Sequence, residues 1–491
     1  MIKRGISNTK VNLIYNIAYQ ILAMILPLIT APYVSRVLGA EGVGKYSYSA
    51  SVAMYFVYFG MLGVLNYGNR SIAKVRDNYE DRCRTFSSIY YLQIMTASLA
   101  ILCYIVYVIF FSGDIRVLSW IQLIYVFSSL LDVSWLFFGL EEFKLTAQRQ
   151  MVLRIITLIL VFAVVRSNGD LNKYAAIISG SNCLNSLILW LFLPGRVKFC
   201  KVTIKDILVH FKPCVVLFVP LIAMSVFGVM DKIMIGKLVS YNAAGWYENA
   251  DKIVLMSSSI FASFNAVLMP KISNLLAKDD KSGAMRYFEL SMKLVSFLAI
   301  AISFGMIAVA QEFVPVFYGD GYEPTITLMK GLAIGIPFLG WAQIYRVLYL
   351  VPAGKDIIYL KSTVYGAIIN FILNLTMISM IGAVGAVWAT VISQIAIVFF
   401  QAVQVKDEIN FLQYSKNIVL YYFGGIVMLI VVRVSARYLP TNLMGLVIEV
   451  LIGVVVFLLE SFIVLFITKR GLLGDLASKI LKVNIKSRAG R

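Results

Sequence analysis

The stretch PLIAMSVFGVMDKIMIGKLVSYNAAGWYENADK, from Pro220 to Lys252, decides how this chain is read. It is apolar enough to cross a membrane, yet Asp231, Lys232, Lys237, Glu248, Asp251 and Lys252 lie in or beside it. A charge at the centre of a bilayer costs at least ~2.5–3.5 kcal/mol, so it needs a partner, a wet cavity or a task. The stretch also looks like a second copy. Pro27-Leu28-Ile29 opens a similar run, which reaches Gly42-Val43-Gly44-Lys45-Tyr46 much as this one reaches Ala243-Ala244-Gly245-Trp246-Tyr247. Two like halves, with ionisable groups where each turns at the membrane surface, point to a transporter.

Composition sets the same class. The chain has 491 residues, of which 60% are hydrophobic. A hydrocarbon core ~30 Å thick needs about 20 apolar residues per helix. Fourteen such segments can be read, beginning with about 11–35 and 45–68 and ending with about 417–436 and 443–467. The expected fold is all-α, a polytopic membrane protein of about 14 transmembrane helices. The long polar connection 194–212 divides it into a six-helix lobe at 1–193 and a second at 213–410. Two added helices at 411–470 and a basic tail at 471–491 follow. Both halves run the same way, so the repeat axis lies along the membrane normal.

A net charge of +19 would suggest nucleic acid in a soluble protein. Here most Lys and Arg fall on one side of the expected membrane: 70–84, 196–212, 271–286 and 469–491. The outer connections 312–324 and 380–383 have none. That asymmetry predicts both termini in the cytoplasm and attraction to anionic lipid heads, not to nucleic acid. Cys83, Cys103, Cys183, Cys200 and Cys214 form no CxxC pair, and His210 is the only histidine, so no metal site is expected. The first apolar segment is too long for a cleavable signal peptide.

Several segments place polar groups on one helical face. Asn12, Asn16 and Gln20 recur every four residues in helix one, with Pro27 and Thr30 continuing the line. They serve either as interhelical hydrogen-bond glue or as cavity lining. Helix two is rich in tyrosine, with Tyr55 and Tyr58 deep enough to stack on sugars or simply to pack. In helix four, read as continuous over 116–139, Asp132 lies ~10 Å from the cytoplasmic end by helix rise. Arg154 in helix five lies at similar depth, and the two are expected to pair as a structural salt bridge or an inner gate. Glu248 and Lys252 are spaced to satisfy one another at i, i+4, leaving Asp251 to face Lys232. Helix ten carries Gly331, Gly335, Pro337 and Gly340 before Arg346, and helix eleven carries Asn370 and Asn374 on one face. Helices thirteen and fourteen hold chiefly Arg433 and Glu449 and look less like a pathway.

Four stretches together resemble one family. They are Asp132-x-x-Trp135-x-Phe137-x-Gly139-x-Glu141, Asn66-Tyr67-Gly68-Asn69-Arg70, Asp231-Lys232-Ile233-Met234-Ile235-Gly236-Lys237, and Gly245-Trp246-Tyr247. They resemble the Wzx-type polysaccharide flippases of the multidrug/oligosaccharidyl-lipid/polysaccharide (MOP) exporter superfamily, over about residues 5–470. The resemblance implies two six-helix lobes in a V around a central cavity, in the bacterial cytoplasmic membrane. It also implies an undecaprenyl-pyrophosphate-linked oligosaccharide moved to the outer leaflet for O-antigen or capsule synthesis; association with a polysaccharide polymerase partner stays open.

Arg and Lys suit a pyrophosphate because they combine charge with directed donors. By depth and charge, Arg36, Arg154, Lys232, Lys252 and Arg346 are the head-group candidates. Asp132, Asp231, Glu248 and Asp251 are the gate or coupling candidates, and Asn12, Asn16, Gln20, Asn370 and Asn374 the sugar contacts. No cofactor is expected; a proton or sodium counter-flow stays open. The rivals are a drug or cation antiporter, or a peptidoglycan-precursor flippase, of the same superfamily. A membrane polymerase or glycosyltransferase would need an acid–base constellation on a substantial loop, and every outer connection here is short.

Overall fold

A computed structural model of the chain describes the backbone over 2–409 and 411–468 and side chains over 25–409 and 418–463. The described residues are predominantly helical, with no strand among them. Among them, thirteen segments are long and apolar enough to cross a membrane. The longest, Ile25–Val75, has 51 residues, far more than one pass requires. Its first helix, α1 (Ile2–Met61), breaks at Gly39, where φ is 68° and ψ 174°. Glycine adopts that conformation without a Cβ penalty. The break divides α1 into two passes, as the separate segments at 11–35 and 45–68 anticipate.

Contacts divide the chain into two compact units, Met1–Gly245 and Trp246–Arg491. In the first unit, α1 packs on α3 (Tyr79–Phe110), α4 (Arg116–Leu131) and α6 (Phe143–Val164). The short α2 (Val64–Val75) packs on α5 (Ser134–Gly139), and α4 on α7 (Leu171–Leu187). Lipid drives no association between apolar helices, so small and hydrogen-bonding side chains must hold them. The first unit shows this at α2 and α5. A Cβ on Gly68 would lie 2.5 Å from the Trp135 ring, and one on Gly139 2.7 Å from Ile72. Trp135 is fully buried and donates its indole N–H to Gln93 Oε1 at 3.0 Å. The Gln93 amide in turn donates to the Ser129 and Asp132 carbonyls, at 2.7 and 2.9 Å. Two of the stretches that carry the family resemblance are therefore a packing lock.

The two glycine-containing stretches that look like copies, helical in the structure, also meet. Gly44 and Gly245 face one another so closely that a Cβ on Gly44 would lie 2.9 Å from the Gly245 nitrogen.

The first unit continues with α8 (Ile204–Leu208), α9 (Phe211–Ser225) and α10 (Asp231–Leu238). The second follows α11 (Tyr241–Ala277), which begins in the first unit, with α12 (Lys281–Tyr318), α13 (Glu323–Ile334) and α14 (Ile336–Ile344). Then come α15 (Asp356–Ile381), α16 (Ala383–Gln404), α17 (Phe411–Ser435) and α18 (Leu443–Thr468). Here α15 packs on α16, and α12 is flanked by α13, α14, α17 and α18.

Candidate functional site

Helix seven, expected as one span over 213–236, is two pieces. Pro220 lies inside α9, where its ring removes one backbone donor. After Ser225 the chain leaves helical geometry at Phe227 (φ −73°, ψ 120°) and Gly228 (φ 81°, ψ −41°), then resumes as α10 at Asp231. A broken helix inside a membrane protein must satisfy the backbone groups it frees. The Ser225 carbonyl accepts the Tyr55 hydroxyl at 3.3 Å. The Gly228 N–H donates to Asp231 Oδ2 at 3.2 Å. Asp231 is fully buried at the first position of α10, where the helix dipole favours a negative charge.

Lys232 is half-buried directly after the break. Tyr58 lies within electrostatic reach of Lys232, and Tyr125 within reach of Tyr58 and Asp132. The Tyr55 and Tyr58 rings meet edge to face with centroids 6.4 Å apart. The first unit thus gathers Tyr55, Tyr58, Tyr125, Asp132, Asp231 and Lys232 around two breaks. The second break is in helix four. α4 ends at Leu131, Asp132 is extended (φ −78°, ψ 102°), and its Oδ1 accepts the Ser134 N–H at 2.8 Å to start α5. Helix four is therefore not continuous over 116–139, because Asp132 caps a new helix. Two of the three aspartates read as gate candidates, Asp132 and Asp231, thus each accept a backbone N–H at a break.

The remaining candidates divide between the units. In the first, Arg36 is exposed on α1 and Arg154 half-buried on α6. In the second, Glu248 and Lys252 form the expected i, i+4 ion pair at 2.9 Å, and Asp251 beside them is buried. The Arg346 guanidinium stacks over Tyr359, 5.5 Å from the ring centroid. Asn370 and Asn374 are fully buried on α15. The Asn374 amide donates to Asn370 Oδ1 at 2.9 Å, and the Asn370 amide to Thr390 Oγ1 on α16 at 3.3 Å. The side chains of Asn12, Asn16 and Gln20 lie outside the described residues. Among the described residues no three His, Cys, Asp or Glu converge as a metal site.

Sequence reasoning passed over Ser225 and Gly228 as functional positions. A signal was present: glycine three residues before aspartate can end one helix and cap the next.

Residues 10–276 match the polysaccharide biosynthesis protein family. The chain belongs to that family, among the Wzx-type polysaccharide flippases of the MOP superfamily. Residues 155–456 of this polysaccharide flippase also match the lipid II flippase MurJ family. It is 23% identical over 394 residues to a Shigella dysenteriae protein named "Putative O-antigen transporter", covering 77% of this chain and 96% of that one. It is 20% identical over 380 residues to an Escherichia coli (strain K12) protein of the same name, covering 76% and 91%. Among solved structures, lipid II flippase MurJ in an inward closed conformation aligns with TM-score 0.73 at 17% identity, covering 94% of this chain and all of that one. An inward-facing multidrug resistance MATE family transporter aligns with TM-score 0.55 at 12% identity, covering 78% and 98%. These two likenesses describe the fold of a multi-pass membrane protein.

Proposed function

We propose that this polysaccharide flippase moves an undecaprenyl-pyrophosphate-linked oligosaccharide from the cytoplasmic to the outer leaflet of a bacterial cytoplasmic membrane. Its six-helix halves at 1–193 and 213–410 alternate access, with both termini in the cytoplasm. The observation that carries this reading is the break in helix seven, with Lys232 beside it and Tyr55 and Tyr58 around it. A lysine ammonium attracts a phosphoryl oxygen, and tyrosines offer both a ring face and a hydroxyl to a sugar. Arg36, Arg154, Lys252 and Arg346 extend the cationic set, and Asp132, Asp231, Glu248 and Asp251 are its gate partners. Movement of two negative charges outward across ~100 mV, inside negative, is favoured by about 4–5 kcal/mol. The protein works as a transporter and not as an enzyme.

A second reading, a peptidoglycan-precursor flippase, is favoured by the match of residues 155–456 to the MurJ family. Both substrates share a polyprenyl pyrophosphate, so the first unit's cation does not separate them; the glycan does. Complementation separates them. The chain is expressed in one strain lacking its surface-polysaccharide flippase and in another lacking its peptidoglycan-precursor flippase. Restored surface glycan in the first, with no rescue in the second, supports the proposal. Rescue of the second alone overturns it.

A further inference from the structure

Three charges in the second unit lie outside the set considered so far. Glu312 is two turns from the end of α12, Arg433 lies in the last turn of α17, and Glu449 two turns into α18. Arg433 Nη1 donates to Glu312 Oε2 at 2.6 Å and to the Ala308 carbonyl at 3.1 Å. Its Nη2 donates to Gln311 Oε1 at 2.9 Å. The guanidinium is thus committed to α12. Glu449 is only 1% exposed, and its Oε2 is buried with no hydrogen-bond partner among the described residues. The charged groups whose fields reach it are Glu312 from α12 and Arg433 from α17. The next titratable group on α18 is Glu460, three turns away.

Two carboxylates therefore share one arginine already engaged by one of them. A buried carboxylate without a committed counter-ion is costly when ionised and much less so when protonated. We propose that Glu449 is a proton-binding site that joins α18 to α12 and α17, and that it carries its proton in this arrangement. Release of that proton to water creates a second claimant for Arg433. Arg433 then has two alternatives, Glu312 on α12 or Glu449 on α18, and proton occupancy selects between them. This gives helices thirteen and fourteen a role in sensing protons, whatever substrate the rest of the chain carries.

The test is an infrared titration of the purified full chain in lipid nanodiscs, from about pH 5 to about pH 9, above the ordinary carboxylate range. Wild type is compared with Glu449→Gln and Glu312→Gln. Both substitutions keep side-chain shape, and monodispersity reports folding. A protonated-carboxyl C=O band at neutral pH that disappears in Glu449→Gln is expected. In Glu312→Gln, Arg433 is released to Glu449, and proton affinity at Glu449 falls at least about tenfold, one pH unit. Identical neutral-pH spectra for wild type and Glu449→Gln overturn the proposal. So does loss of the band on adding Na+ at constant pH, which makes this a metal-cation site.

Discussion

Replacing Gly228 by alanine tests whether the break in helix seven matters to transport. Gly228 holds φ 81° with ψ −41°, a conformation that L side chains rarely adopt. Forcing a Cβ into such a region costs of order 1–3 kcal/mol. If the break forms in only one state of the transport cycle, that cost falls on one side of a conformational equilibrium. It then shifts the population by about 5–150-fold. Val226 precedes the break with ordinary helical dihedrals (φ −59°, ψ −39°), so Val226→Ala makes a small cavity without backbone strain and serves as the control. The assay is surface glycan in a complemented flippase-deficient strain, normalised to membrane protein level. Gly228→Ala is expected to lower glycan export at least about fivefold at unchanged abundance, while Val226→Ala stays near wild type. Equal export by both would show that the conformation at Gly228 is incidental to transport.

Three further outcomes follow from particular contacts. Lys232→Gln removes a half-buried cation beside the break and is expected to reduce flipping about 10-fold or more, the worth of one charge-assisted hydrogen bond, while Lys232→Arg retains most of it; flipping rate at matched protein level decides. Trp135→Ala vacates a fully buried site and strands Gln93 Oε1, so thermal unfolding in detergent should show a loss of about 3–5 kcal/mol, and Trp135→Phe a smaller one. Gly44→Ala puts a methyl group against the backbone of Tyr241 and Gly245, which no side-chain rotation relieves; reduced membrane abundance or a lower unfolding temperature is expected.

How much was legible in the sequence follows physical lines. Membrane helices are written locally, because some 20 apolar residues in a row admit few other structures. The Glu248–Lys252 pair is legible for the same reason, being one helical turn apart. The breaks at Asp132 and Gly228 are harder. A hydropathy window averages over them, and a single dihedral leaves apolar content unchanged. Their trace is the cap chemistry: aspartate two residues before Ser134, glycine three before Asp231. Asn370 and Asn374 share a face visible in the spacing, and their mutual bond is one helical turn long, but the bond from Asn370 to Thr390 on the next helix is seen only in the fold. In the Glu312–Arg433–Glu449 cluster, Glu312 and Arg433 lie 121 residues apart, so no local pattern reveals their pairing. The motifs around Gly68 and Trp135 signal the family, but their packing role depends on a close approach that only the fold displays.

The central claim is most directly tested by following a polyprenyl-pyrophosphate-linked oligosaccharide across proteoliposomes of the purified chain. An impermeant glycan-modifying enzyme added outside reports each molecule that arrives there. Protein-dependent arrival that is strongly reduced in Lys232→Gln, at equal reconstitution, is the predicted result. Absence of arrival for glycans that complement in cells, with export of organic cations by the same vesicles, would contradict the account.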